Sequence, residues 1–485
     1  MSLTRRKSLD TLLERASHSN LKRTLTAKSL VALGIGAIIG AGLFVRTAAA
    51  SSQDAGPAVV VSFIVAAIGC CFAGLCYAEF ASMIPIAGSA YTYAYTTMGE
   101  FVAWVIGWAL ILEYALGAAT VAISWCEYFN KLLTQLGLPA VPYQWSHSPM
   151  EGGFINLPAL AILLILTVLL VKGTEESATV NAIIVTVKVA IVLAFIAIGW
   201  QFINPANHTP FTIPAGTPGH EGTFQHGWAG VLGGAGIVFF AFIGFDAVST
   251  AAQETINPGR DMPRGILGSL AVCTILYILF GYVLTGVANW TEFAKAGKEA
   301  SVAYAIQAHM PGFGWLATAV TVAILFGFSS VILVMLLGQS RVFYTMSEDG
   351  LLPRLFCDVH PKFRTPYKCN ILLFFFVGAF GGFLPESLAG DLTSIGTLFA
   401  FVLVCIGVII MRKLQPGVAR PFKTPLVPVV PILGVLVCGA MIVALDTRTQ
   451  LTALGWMVIG LLVYFLYGRS HSKLNLPEKA QTFAD

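Results

Sequence analysis

Apolar runs of membrane-spanning length follow one another from end to end of this chain, and nothing else limits its fold so severely. A helix needs roughly 17 to 25 mostly apolar residues to cross a hydrocarbon core of about 30 Å. Twelve runs fit, near residues 30–52, 58–84, 101–133, 157–172, 178–200, 228–254, 264–288, 313–341, 368–384, 391–412, 426–445 and 452–468. Lipid offers no hydrogen-bond partners, so each run has to close its own backbone bonds as a helix. The expected fold class is an all-α polytopic membrane protein. Composition agrees: 11% of the residues are charged, against about 25% in soluble domains.

Charge is distributed unevenly along the chain. With the N-terminus inside, about 22 of the 28 lysines and arginines fall on the cytoplasmic side, the bias that sets orientation in a bilayer. This predicts a multi-pass protein of the cell (inner) membrane with both termini cytoplasmic. The basic start (Arg5, Arg6, Lys7) is followed by no short apolar core with a small-residue cleavage site, so a cleaved signal peptide is not expected. The nine scattered cysteines suit small apolar packing residues better than a disulfide framework or a zinc site.

The first span contains "GIGAIIGAGLF", with glycine at 34, 36, 40 and 42. Each interior glycine costs a helix about 1 kcal/mol relative to alanine. Gly36 and Gly40 also form a GxxxG, which suits close helix packing. The sixth span, "GVLGGAGIVFFAFIGFDAVS" from Gly230 to Ser249, is interrupted in the same way. Gly-interrupted spans at matching positions of two halves are the pointer to an inverted-repeat transporter with broken helices. A spacing of five spans predicts a five-plus-five core followed by two further spans.

Ionisable groups inside spans need an explanation, because insertion costs roughly 2.5 to 3.5 kcal/mol each near a helix centre. Lys188 lies about ten residues into span 5, roughly 15 Å deep and far from either surface. Leaving water disfavours the charged form of an amine, which makes Lys188 a candidate proton carrier. Glu113 lies in the middle of span 3, where it could line a cavity or pair structurally. Glu79 and Asp246 lie nearer the cytoplasmic ends of spans 2 and 6 and suit gating or helix-end roles equally well.

Other classes lose support. All eight histidines fall in loops, tails or span edges, and no HExxH, GxxxxGK[ST] or GxSxG occurs. No nucleophile–base or metal set for an intramembrane enzyme can be assembled, so the chain is not expected to be an enzyme or to bind a metal or nucleic acid.

Several stretches together are more specific: "GIGAIIGAGLFV" (34–45), "PIAGSAYTYAYTTMGEFVAWVIGWALILEY" (85–114), "FFAFIGFDAVSTAAQETINPGRDMPRGI" (239–266), "GQSRVFYTMSEDGLLPRLF" (338–356) and "RPFKTPLVPVVP" (420–431). Through them the chain resembles the amino acid–polyamine–organocation superfamily, in particular bacterial members of its cationic amino acid transporter branch. The resemblance implies a LeuT-type fold whose broken spans 1 and 6 grip the backbone of an amino acid. Amides of Ile39, Gly40, Ala41 and Gly42 would receive the α-carboxylate. Carbonyls of Ile38, Phe240, Ala241 and Ile243 would accept from the α-ammonium, and the side chain would face Glu113 and Met335. Relatives often carry threonine where this chain has Ala41. Family members with a lysine in span 5 place its ammonium where sodium-coupled relatives hold sodium. Lys188 matches that position, with Ser329 or Ser330 and span 1 carbonyls as partners, which implies proton coupling.

The expected function is thus secondary active transport of neutral or broad-range L-amino acids by proton symport and alternating access. It needs no cofactor beyond the proton gradient, and its partners are the amino acid, the proton and the lipid bilayer; a small accessory membrane subunit stays open. A proton-independent exchanger and a non-transporting membrane sensor are the alternatives, the sensor requiring a signalling extension. The expected division is a cytoplasmic tail (1–29), an inverted-repeat core (30–412), two further spans (413–468) and a second cytoplasmic tail (469–485).

Overall fold

A computed structural model describes residues 5–7, 25–84, 89–173, 178–295, 301–363 and 365–475. The remainder of both expected tails lies outside the described residues. All twelve expected spans are helical. Span 1 begins as Ala27–Ile38 and, after an interruption, resumes through Gly42–Arg46, Thr47–Ala50 and Ser51–Ala55; span 2 is Val59–Met83. Spans 3, 4 and 5 are Glu100–Gln135, Leu157–Lys172 and Ala178–Gly199. Span 6 runs Gly227–Val238 and Phe239–Phe242, then Asp246–Glu254 after a second interruption. Spans 7 to 12 are Pro258–Val287, Gly314–Glu348, Tyr367–Phe383, Glu386–Leu414, Val429–Ala444 and Thr447–Val463, the last continuing to His471. Short helices that no apolar run marks lie between them, at Ser89–Thr97, Trp290–Lys295 and Ser301–His309.

Span boundaries follow local chemistry. Asn156 caps span 4 by accepting from Ala159 N at 3.1 Å, and Gly173, with φ of 74°, ends it in the left-handed region. Asp446 caps span 12 through Arg448 N at 3.1 Å.

The packing follows the two-halves expectation. Span 1 meets span 6, span 2 meets span 7, span 3 meets span 8 and span 4 meets span 9, the contacts of two five-span repeats facing each other. Spans 3 and 8 form the protein-enclosed centre, with 78% and 72% of their apolar windows buried, whereas span 12 buries only 22% and faces outward. Spans 11 and 12 both pack on span 10.

Glu79, at the end of span 2, explains one of the sequence stretches. Its carboxylate accepts from Arg412 Nε and Nη2 at 3.1 and 2.8 Å and from Thr424 N at 2.8 Å, with Arg420 Nε at 3.4 Å. The proline-rich link between spans 10 and 11 is thereby pinned to span 2. This gives Glu79 a helix-end role.

Candidate binding site between the broken spans

Span 1 leaves helical geometry at Ile39, whose ψ is 107°, and resumes at Ala41. The Ile39 amide still belongs to the inner half-helix, donating to Ile35 O at 3.0 Å. Gly40 O accepts from both Leu43 N and Phe44 N, at 3.2 and 3.4 Å. The amides of Gly40, Ala41 and Gly42 are therefore the first of the resumed helix, where N–H groups have no partner in their own helix and the dipole is positive. Ala41 is fully buried.

Span 6 breaks in the corresponding place, with Ile243 extended (ψ 135°) and Gly244 at φ 112°. Two glycines let the breaks touch. A Cβ on Gly42 would strike the main chain of Ala241, and one on Gly244 would stand 2.8 Å from Ala37 O.

The freed carbonyls have acquired donors. Tyr277 of span 7 places its hydroxyl 3.0 Å from Ile38 O and 2.8 Å from Ala241 O, joining the two breaks through one group. Phe240 O accepts from Ile243 N at 3.2 Å. A carbonyl oxygen has two lone pairs, so each can still accept from a ligand.

Lys188 is almost fully buried and donates to Gly36 O at 2.9 Å and to Ile39 O at 3.1 Å. It caps the C-terminal end of the inner half-helix, where the partial negative charge of the helix lies. Gly327 of span 8 makes room for it, since a Cβ there would sit 2.8 Å from Lys188 Cε. Of the two expected serines, Ser329 turns its hydroxyl to Leu325 O at 2.9 Å in its own helix, while Ser330 is buried on the same span.

Span 8 reaches the break through Val331, whose Cγ2 stands 3.2 Å from the Cβ position of Gly40; Met335 follows one turn on. Glu113 is fully buried, and among the described residues neither of its oxygens meets a donor in full hydrogen-bonding geometry. It faces Asp246 and Thr397, the latter's hydroxyl being committed to Thr393 O at 3.0 Å. Asp246 accepts from Tyr114 at 3.0 Å.

Two elements were missed in the sequence. Tyr277 is one, a mid-span tyrosine in an otherwise apolar helix. The other is an ionic cluster on the outer half of span 1. Arg46, fully buried, binds Asp391 and lies 3.4 Å from Glu386 Oε2, both at the start of span 10. The cost of charge in a span flags Arg46 as readily as Lys188. The loop before span 6 covers the same end: Phe211 O accepts from Ala58 N at 2.8 Å, and His220 Nε2 lies 2.9 Å from Ser52 O.

Comparison with known proteins fits this geometry. The profile of the amino acid permease family matches residues 25–467. The branched-chain amino acid permease BcaP of Bacillus subtilis (strain 168) is 44% identical over 479 residues, covering 98% of this chain and 99% of the relative. The methylthioribose transporter of the same organism is 41% identical over 476 residues, covering 98% and 99%. Cationic amino acid transporter 4, vacuolar, of Arabidopsis thaliana is 34% identical over 419 residues, covering 86% and 68%.

Proposed function

The chain belongs to the amino acid permease family, and on that premise we propose a proton-coupled symporter of neutral L-amino acids, branched-chain ones included. It works by alternating access in the cell membrane with both termini cytoplasmic. The observation that carries this reading is the meeting of two functions at Ile39. Its carbonyl holds the Lys188 ammonium at 3.1 Å, and the unwound amides begin at the next residue.

In this account the substrate carboxylate rests on the amides of Gly40, Ala41 and Gly42, whose dipoles favour an anion. The substrate ammonium uses the remaining lone pairs of Ile38, Phe240, Ala241 and Ile243. The side chain extends along Val331 and Met335 toward Glu113. Charged Lys188 holds the inner half-helix against span 5. When it gives up its proton, the Gly36 and Ile39 carbonyls each lose a charge-assisted donor, and the half-helix is released to open inward. The Arg46–Asp391–Glu386 cluster closes the outer side by joining spans 1 and 10. The core 30–412 carries these steps, with spans 11 and 12 (413–468) as its support and the tails 1–29 and 469–485 inside.

The names of the bacterial relatives favour neutral substrates, as do the apolar walls at Val331 and Met335. A proton-independent exchanger is the second reading. It is favoured by the same two bonds to Lys188, which would fix a permanently charged ammonium. Proteoliposomes without internal substrate separate the two. A symporter accumulates leucine when an inward proton gradient is imposed, whereas an exchanger accumulates it only when the vesicles are preloaded with amino acid.

A further inference from the structure

Chain ends are usually the least ordered parts of a protein unless something ties them down, and ordering them costs conformational entropy. Here residues from both ends are tied to the same buried carboxylate. Glu100, in the first turn of span 3, is almost fully buried. It accepts from the Ser472 hydroxyl and from Tyr464 Oη at 3.0 Å, both in the C-terminal stretch. From the N-terminal side, Arg5 O accepts from Glu100 N at 2.8 Å, and the Arg5 guanidinium lies 3.8 Å from Glu100 Oε2. Arg5 also donates to Leu474 O at 3.1 Å and to Asn475 Oδ1 at 2.7 Å, so the two ends hold each other as well.

Lys7 extends the contact to the second repeat. Its ammonium donates to Asp349 Oδ1 at 2.6 Å, at the end of span 8, while Lys473 N donates to Asp349 O at 3.0 Å. The short helix Ser89–Thr97 bridges the two carboxylates. Tyr91 donates to Asp349 Oδ2 at 2.9 Å, Tyr95 donates to Glu100 Oε2 at 3.3 Å, and Tyr95 O accepts from Lys7 N at 3.3 Å. One turn separates these two tyrosines, so they share a face of the helix. Tyr93 lies on the other face, where it stacks on Phe80 of span 2 at 5.3 Å and faces Asp246 and Ser249 of span 6. The helix is thus held by the chain ends on one side and packed against the inner part of span 6 on the other.

We propose that the two chain ends form one cytoplasmic clasp, which fastens the helix Ser89–Thr97 against the inner part of span 6 and so slows opening of the cytoplasmic side. The inference rests on the alternating access proposed above. Inward opening has to draw the inner parts of spans 1 and 6 away from spans 3 and 8. The helix Ser89–Thr97 touches span 6 while its anchors, Glu100 and Asp349, belong to spans 3 and 8. The N-terminal segment also returns to the moving elements, since Leu25 O accepts from Ile256 N at 3.0 Å just beyond span 6. The side chains of Lys7 and Asp349 are only 16% and 9% exposed, so salt screens this pair less than one on the open surface.

The test uses the full chain in inside-out membrane vesicles, with reactive native cysteines replaced and Ser249→Cys as a reporter on the inner part of span 6. The rate at which an impermeant methanethiosulfonate modifies that cysteine measures cytoplasmic opening. Arg5→Ala and Lys7→Ala should each raise the rate about three- to fivefold, the worth of one partly exposed ion pair. Lys7→Arg, which keeps the pairing with Asp349, should stay at the parent rate. If the alanine variants label at the parent rate, whether or not their melting temperature falls, the ends are only a structural staple and the clasp is overturned. Leucine should change the parent rate. If it does not, while the alanine variants still label faster, the clasp stands and the alternating-access reading fails.

Discussion

The ammonium of Lys188 lies 3.1 Å from the carbonyl oxygen of Ile39, the residue at which span 1 stops being a helix. A mid-membrane charge and a mid-membrane helix break are each costly in lipid. Here each offsets part of the other's cost, since the last carbonyls of the half-helix supply acceptors for a buried ammonium. The pairing also ties proton occupancy to the conformation of the backbone proposed to hold the substrate, which is the differential interaction that coupling requires.

Tyr277→Phe removes one hydroxyl from two carbonyls, Ile38 and Ala241. Leaving buried acceptors without a donor costs about 1 to 3 kcal/mol. The expected outcome is a lower melting temperature together with roughly tenfold weaker leucine binding by calorimetry, because both breaks lose their shared anchor. Full retention of affinity would assign Tyr277 to packing alone.

Asp391→Asn weakens the cluster around Arg46, which is fully buried and has Glu386 as its other partner at 3.4 Å. Breaking a buried ion pair costs about 3 to 5 kcal/mol, and here that loss falls on the outer-closed state. A cysteine placed at Thr47, with reactive native cysteines replaced, should react several-fold faster with an impermeant maleimide in the Asp391→Asn variant. Equal rates would remove the cluster from the gate.

Glu79→Gln tests a purely structural position. The carboxylate serves Arg412, Arg420 and Thr424 N, so neutralising it leaves two partly buried guanidinium groups underpaired. A stability loss of about 2 to 4 kcal/mol is expected, seen as a lower melting temperature, with KM for leucine unchanged below the transition.

Glu292 offers a pH test outside the spans. Burial acts to raise its pKa, but hydrogen bonds from His309 and Tyr304 outweigh that and hold it below the ordinary 4.5. A carboxylate depressed on folding contributes stability above its unfolded pKa and loses it as pH falls through the lower folded value. Wild type should therefore lose melting temperature on acidification below about pH 4.5 more steeply than Glu292→Gln. Identical acid limbs would contradict the assignment.

What could be read from the sequence was whatever repeats or costs locally. The twelve apolar runs, the glycines at 40 and 42 and the charge at Lys188 each show in a window of one helix. Tyr277, the Arg46–Asp391 contact and the arginines around Glu79 do not, because their meaning lies in partners 36 to 345 positions away. The helix Ser89–Thr97 escaped detection because it is too short and too polar to form an apolar run.

The central claim is that protons and amino acid move together through Lys188. The most direct measurement is internal pH in proteoliposomes carrying a trapped pH-sensitive dye, recorded as leucine is added outside with no gradient imposed. The account predicts internal acidification that rises with leucine, is absent without it and is lost in Lys188→Ala. Leucine entry with no change of internal pH in the wild type would contradict it.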